Sequence, residues 1–317
     1  MSSAGALRRI AAVVAAVLVL AGCTPGEQGE RAGAADDRTR SPAGQPSSQA
    51  SSPDAATPAL QRLHQLAPVP DVRQPKELAR RLRLLASVLG DPDAEPDAVR
   101  RAAELEQVAT RTLGQAPASR TRAVLPLLPP DVRRRVAVDV EAARALTALA
   151  EPQPELPDWR LVDPPRRDRL LRAYRAAERR TGVPWEHLAA IHLVETRMGR
   201  IRGVSTAGAQ GPMQFLPSTW DIYGEGGDIN DVEDAVMAAG RLLRANGAPD
   251  DMGGALFAYN QSDSYVFAVQ SYASNMRRAP LAYRGYWHWR VLYRHTSGTV
   301  VLPVGYPRRP AVPLGRS

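Results

Sequence analysis

Apolar residues recur at helical spacing over most of the chain. Leu78, Leu82, Leu85 and Leu89 fall four, three and four residues apart, with Pro75 near the start and Gly90 just past the end; this predicts a helix with one buried stripe. Ala98, Ala102, Leu105 and Ala109 mark a second helix from about Pro96 to Leu113, which Gly114 stops. A third follows Pro129 and Pro130, with Val132, Val136, Val140 and Ala143 on one side. The proline-rich stretch from Glu151 to Pro157 breaks the pattern and places a boundary near Asp158. Beyond it, Leu170, Ala173, Tyr174 and Ala177 predict a helix from about Arg166 to Arg180, and Gly182, Val183 and Pro184 turn the chain.

The next helix differs in kind. Trp185, Leu188, Ala189, Ala190, Ile191, Leu193 and Val194 make it apolar on nearly every side, leaving only Glu186 clearly facing out, so it belongs in the middle of a domain. At roughly 100° per residue, Leu188 and Ile191 fall within about 40° of Glu195. That carboxyl either reaches water at a fraying helix end or is held in the apolar stripe. In the second case desolvation raises its pKa and keeps a proton available near neutral pH, as a general acid requires. His187 and His192 share the helix, but no Ser or Cys nucleophile stands with them in a recognisable motif.

After a basic connector with Arg197, Arg200 and Arg202 comes a run of small residues, Ser205 to Gly211, closed by Pro212, Met213 and Gln214. Such a loop lets backbone approach a ligand or form a tight turn. Pro217 to Thr219 reads as entry to another helix. In the turn from Gly224 to Asp231, Asn230 or Asp231 makes a good helix N-cap, and the spacing lacks the EF-hand calcium pattern. A short helix around Gly254 to Ala258 delivers Tyr259 and Asn260, and Ser264 to Tyr272 follows as a packed helix with its aromatics in the core. Alternation of Trp287, Trp289, Val291 and Tyr293, a turn at Ser297 and Gly298, and a return over Thr299 to Leu302 predict a β hairpin. The last residues, rich in Pro and Arg, read as loose.

The start of the chain follows another logic. Arg8 and Arg9, an apolar run from Ile10 to Leu20, and small residues before Cys23 describe an export signal too short to span a membrane as a mature helix. Residues 24–58 are Gly, Ala, Ser, Pro and Gln without apolar period, a flexible tether with a root-mean-square reach of about 30 to 35 Å. Cys23 is the only cysteine, which excludes a disulfide framework. The net charge is +8 and every basic residue except Lys76 is Arg, which favours anionic partners. No phosphate loop, zinc spacing or basic-aromatic interleaving supports nucleic-acid binding.

Several motifs together resemble the lytic transglycosylases of the lysozyme-like superfamily: Val194-Glu195-Thr196 with Gly199, the Ser205 to Gln214 loop, Phe215 to Ser218, and Tyr259-Asn260. The Glu-Thr-x-x-Gly and Gln-Phe-Leu-Pro-Ser pieces are similar to the membrane-bound B type. The loop and the Tyr-Asn pair are shared with the soluble (SLT) type, although Pro212 stands where soluble-type members usually have Leu. Leu20 to Cys23 resembles a bacterial lipobox, which implies cleavage before Cys23 and a diacylglycerol on its sulfur.

The resemblance implies a mainly α fold: signal peptide 1–22, lipid-anchored linker 23–58, helical region 59–157, lysozyme-like catalytic domain 158–296, and a C-terminal hairpin strand and loose tail over 297–317. It implies Glu195 as catalytic acid and base, Tyr259 holding it, and Ser205, Gly208, Met213, Gln214 and Asn260 contacting glycan or shaping the cleft. The implied partners are peptidoglycan strands and a lipid membrane reached through Cys23, with no metal or organic cofactor. A muramidase on the same fold and a non-catalytic wall-binding protein stand as alternatives.

Overall fold

The computed structural model of the protein describes residues 58–149, 151–279 and 281–316. The expected signal peptide, lipidation at Cys23 and tether up to residue 57 lie outside the described residues. The first described element is α1 (Pro58–His64). The three predicted N-terminal helices are α2 (Pro75–Gly90), α3 (Pro96–Gln115) and α5 (Pro130–Leu149), with a short α4 (Ala118–Val124) between the last two. Proline opens α2, α3 and α5, where a missing N–H loses no intrahelical bond.

The leucine stripe of α2 is buried along its length, but it serves two cores. Leu78 and Leu82 pack with Ala109, Leu113, Val136 and Val140. Leu85 and Leu89 join Ala102 and Leu105 in the main core, together with the helices that follow residue 158. The proline-rich break is therefore a bend in a shared core. α3 crosses α5 at Gly114, where a Cβ would lie 2.9 Å from the Val140 carbonyl oxygen and 3.0 Å from the Arg144 nitrogen.

The second half of the chain contributes α6 (Arg167–Thr181), α7 (Trp185–Thr196), α8 (Pro217–Tyr223), α9 (Val232–Ala245), α10 (Met252–Tyr259), α11 (Asp263–Arg278) and α12 (Leu281–Trp287). Gly182 ends α6 in the left-handed conformation, φ 75°, and its N–H bonds back to the Glu178 carbonyl. α7 is enclosed on every side. Glu186, expected to face out, is only 9% exposed, which corrects that expectation: neighbours cover the one face the sequence left polar. Asp231 caps α9 by accepting from Glu233 and Asp234 N–H.

α11 is tied to α5 through a buried polar knot. Asp139 Oδ1 accepts from Tyr286 Oη at 2.5 Å and from Asn275 Nδ2 at 3.0 Å. Burial, with Glu106 nearby, pushes the Asp139 carboxyl up to about 7 against the pull of Arg135. Gln107 clamps Arg290, giving Nε2 to its carbonyl at 2.8 Å and accepting its N–H at 2.9 Å.

Two small antiparallel sheets complete the fold. β1 (Arg160–Leu161) pairs with β2 (Ile201–Arg202). β3 (Val291–His295), β4 (Gly298–Leu302) and β5 (Val312–Pro313) form the C-terminal sheet. The hairpin starts at Val291 and not at Trp287, because Trp287 closes α12 and Trp289 packs against Tyr272 and Tyr286. The loose tail is also corrected. β5 adds a strand to β4, and Tyr306 is buried, its hydroxyl donating to the Pro157 carbonyl at 2.8 Å. An aromatic side chain with a small apolar core to fill outweighs the polar composition around it. The expected class, mainly α with a small C-terminal antiparallel sheet, is the one observed. Among the described residues no helix is long and apolar enough to cross a membrane.

Two expectations follow for urea denaturation. Gly114→Ala lowers stability by about 1–3 kcal/mol, since the added methyl forces α3 from α5, whereas Gly90→Ala, with open space around it, raises stability by up to about 1 kcal/mol. The Asp139 pKa lies above its unfolded value of 3.8, so its contribution is complete below that pH and is lost as pH rises through about 7. Asp139→Asn, which keeps the acceptor, flattens the fall in stability over that window.

Candidate active site

Glu195 sits in the last turn of α7 and is 7% exposed. Burial raises its carboxyl to about 8, and a hydrogen bond from the Tyr265 hydroxyl opposes the rise. That bond, Tyr265 Oη to Glu195 Oε1, is 2.7 Å long. Desolvation wins because one hydroxyl donor offsets only part of the cost of ionising a carboxyl away from water. At pH 7 a group titrating near 8 is protonated in roughly nine molecules of ten.

The backbone beyond Glu195 is bent sharply. Arg197, Met198 and Gly199 all have left-handed φ values, 54°, 59° and 82°, and two such conformations at non-glycine residues cost of order 1 kcal/mol each. Thr196 holds the bend: its hydroxyl donates to the Pro212 carbonyl at 2.6 Å and accepts the Gly199 N–H at 3.1 Å. A Cβ on Gly199 would meet His192 Nε2 at 3.2 Å. His192 is fully buried, its Nδ1 2.7 Å from Tyr174 Oη. Burial lowers His192 to about 3 and His187 to about 4, so both rings are neutral at neutral pH.

The loop is built on Ser205, whose hydroxyl accepts the Ala209 N–H at 2.9 Å. Gln210 and Phe215 exchange both backbone bonds, at 2.8 and 2.9 Å, closing a turn with Gly211 at φ 73°. A Cβ on Gly211 would lie 1.9 Å from the Ile229 carbonyl oxygen, so only glycine fits. Gly208, half-buried, has open space where a side chain would stand. Gln214 is 8% exposed and gives its side-chain amide to the Gly211 carbonyl at 3.0 Å. Asn260 is buried, with its Oδ1 lacking a partner.

Two expectations need correction. Tyr259 does not bond Glu195; its hydroxyl donates to the Met213 carbonyl at 2.6 Å, and Tyr265 takes the role instead. The two tyrosines stack with centroids 6.4 Å apart and planes 5° from parallel, so Tyr259 backs the ring that holds the acid. Met213 does not line a sugar subsite, because its side chain is wholly inside the main core. The signal for Tyr265 was its place on the buried stripe of α11, with Ala268, Val269 and Tyr272: a buried hydroxyl there requires an acceptor.

Two carboxylates that follow the loop are occupied elsewhere. Glu225 pairs with Arg241 at 2.6 Å, and Asp228 accepts the Asn230 N–H at 2.8 Å. No described carboxylate perturbs Glu195. Among the described residues no group of three His, Cys, Asp or Glu side chains is placed to hold a metal ion. Glu195 is part of the wall of a cavity of about 120 Å³, which Val194, Arg197, Ile201 and the β3 residues also line. A larger groove of about 820 Å³ lies between α2, α5 and α12, away from Glu195.

Comparison with known families adds one finding. Residues 172–280 match the family model described as Transglycosylase SLT domain, a stretch that runs from α6 through α11 and includes Glu195, the loop, Tyr259 and Tyr265. That stretch is similar to lysozyme-like domains that act on peptidoglycan outside the cytoplasm. No curated protein and no solved structure matches the chain.

Tyr265→Phe removes the hydroxyl that draws the Glu195 pKa down, so the carboxyl titrates above its present value of about 8, read by carbon-13 NMR of labelled glutamate. Tyr259→Phe leaves that midpoint near the wild-type value and lowers stability by about 1 kcal/mol. A downward shift in Tyr265→Phe would contradict the assigned bond.

Proposed function

We propose that the protein is a peptidoglycan lytic transglycosylase with Glu195 as its single acid and base. The observation that carries this reading is one buried carboxyl, raised to about 8 by burial and oriented by Tyr265, with no described carboxylate acting on it. Most glycosidases divide the work between two carboxylates. A lone acid suits a reaction in which the substrate supplies the nucleophile.

In that reaction Glu195 gives its proton to the oxygen joining N-acetylmuramic acid to N-acetylglucosamine, and the bond to the muramyl C1 breaks. The substrate's own N-acetyl carbonyl supports the developing positive charge at C1. Glu195, now a carboxylate, takes the proton from the muramyl C6 hydroxyl, whose oxygen closes onto C1. The acid is regenerated, and a 1,6-anhydromuramic end forms without consuming water. Ser205, Gly208, Gln214 and Asn260 shape the loop and cleft, Tyr265 aims the carboxyl, and Tyr259 supports both Tyr265 and the loop. Lipidation of Cys23 anchors the enzyme to a membrane, and the tether lets the domain reach the wall.

Mass spectrometry of muropeptides released from purified peptidoglycan tests this. The expected products are about 18 Da lighter than reducing muropeptides, and Glu195→Gln lowers their rate of release by about a hundredfold or more. The wild-type rate falls as pH rises above about 8, where the acid loses its proton. Reducing products would make the enzyme a muramidase. Absence of products from every peptidoglycan tried would leave a wall-binding protein.

A further inference from the structure

The cavity beside α7 holds positive charge that the cleavage chemistry does not use. Arg111 from α3 and Arg197 from the bend line it with Tyr272 from α11. Both arginines are half-buried. The charged neighbours of Arg111 are Arg197 and Arg294; Glu151 and Glu195 also line the cavity, but neither pairs with Arg111 or Arg197. Two of these cations have structural work. Arg197 Nη1 donates to the Leu193 carbonyl at 2.7 Å and Arg294 Nη1 to the Thr147 carbonyl at 2.8 Å, each at the C-terminal end of a helix where a cation is favourable. Arg111 has no such duty: it donates to no described group, and its Nε is buried without a partner.

A planar guanidinium fork without a carboxylate partner, with a second guanidinium in the same cavity wall, is an arrangement that recognises a carboxylate. We infer that Arg111 and Arg197 form a carboxylate-binding subsite for the peptide stem carried by the muramyl lactyl group. The inference rests on the peptidoglycan reading above. The two amino sugars are neutral once the lactyl group is amidated, so the stem is the anionic part of the strand. Glu195 lines the same cavity as both arginines, so a carboxyl near the start of the stem meets them while the muramyl sugar meets the acid. The cavity, about 120 Å³, admits a carboxyl group and not a further sugar.

The subsite makes the enzyme select for strands that still carry peptide. The test compares kcat/KM on stem-bearing strands with kcat/KM on strands stripped by an amidase and then methylamidated at the freed lactyl carboxyl, so that the stripped strand is neutral. The wild type is expected to favour stem-bearing strands by about tenfold or more. The ratio falls toward one in Arg111→Gln and is partly kept in Arg111→Lys. Because both substrates are measured with one protein, a loss of folded enzyme lowers both values and leaves the ratio unchanged. A wild type without preference, or an unchanged ratio in Arg111→Gln, overturns the subsite. Calorimetry with the free tetrapeptide stem and its carboxyl-amidated form separates this from the reading it rests on. Arg111-dependent binding of the carboxylate form alone, by a protein that cleaves no strand, keeps the subsite and removes the transglycosylase. Cleavage with no Arg111-dependent selectivity or binding does the reverse.

Discussion

A single carboxyl kept out of water at the end of an enclosed helix is the constraint on which this structure turns. α7 has no polar face, so its neighbours must cover it completely: α6 and α9 on one flank, α11 on another. That enclosure would leave an unpartnered Glu195 very costly. The Tyr265 hydroxyl relieves part of the cost and fixes the direction of Oε1, and the opposing effects leave the group protonated yet able to ionise. Full burial without the hydroxyl would hold the proton more tightly still.

Much of this was legible in the chain. The leucine spacing of α2, the all-apolar run of α7 and the Asp231 cap each follow from one local rule, and each was met. The division of labour between Tyr259 and Tyr265 was not legible, because two rings stacked 6.4 Å apart are equally near the site, and only their hydroxyl directions distinguish them. Met213 misled for a related reason: its backbone carbonyl touches the site while its side chain points into the core. The C-terminal tail reads as loose from its prolines and arginines, and Tyr306 alone overturns that by filling a hydrophobic gap beside Trp159 and Leu161.

The transglycosylase match covers residues 172–280, but the walls of the site extend beyond it. Arg111 and Gln107 come from α3, Trp159 from the segment before β1, and Val291 to Arg294 from β3. The N-terminal helices thus do two things at once. They bury the outer side of α11 through Asp139 and Asn275, and they bring Arg111 to the wall of the cavity that Glu195 lines.

The Gln107–Arg290 clamp joins residues 183 apart in the chain, and the Asn275–Asp139 bond spans 136. Contacts of such separation are late in folding, because a long loop must close before either bond is rewarded. The early helices, although they contain their own small core, therefore wait for the far end of the chain before their inner faces are covered. The Glu195 carboxyl therefore becomes buried, and its proton held near neutral pH, only in the finished molecule.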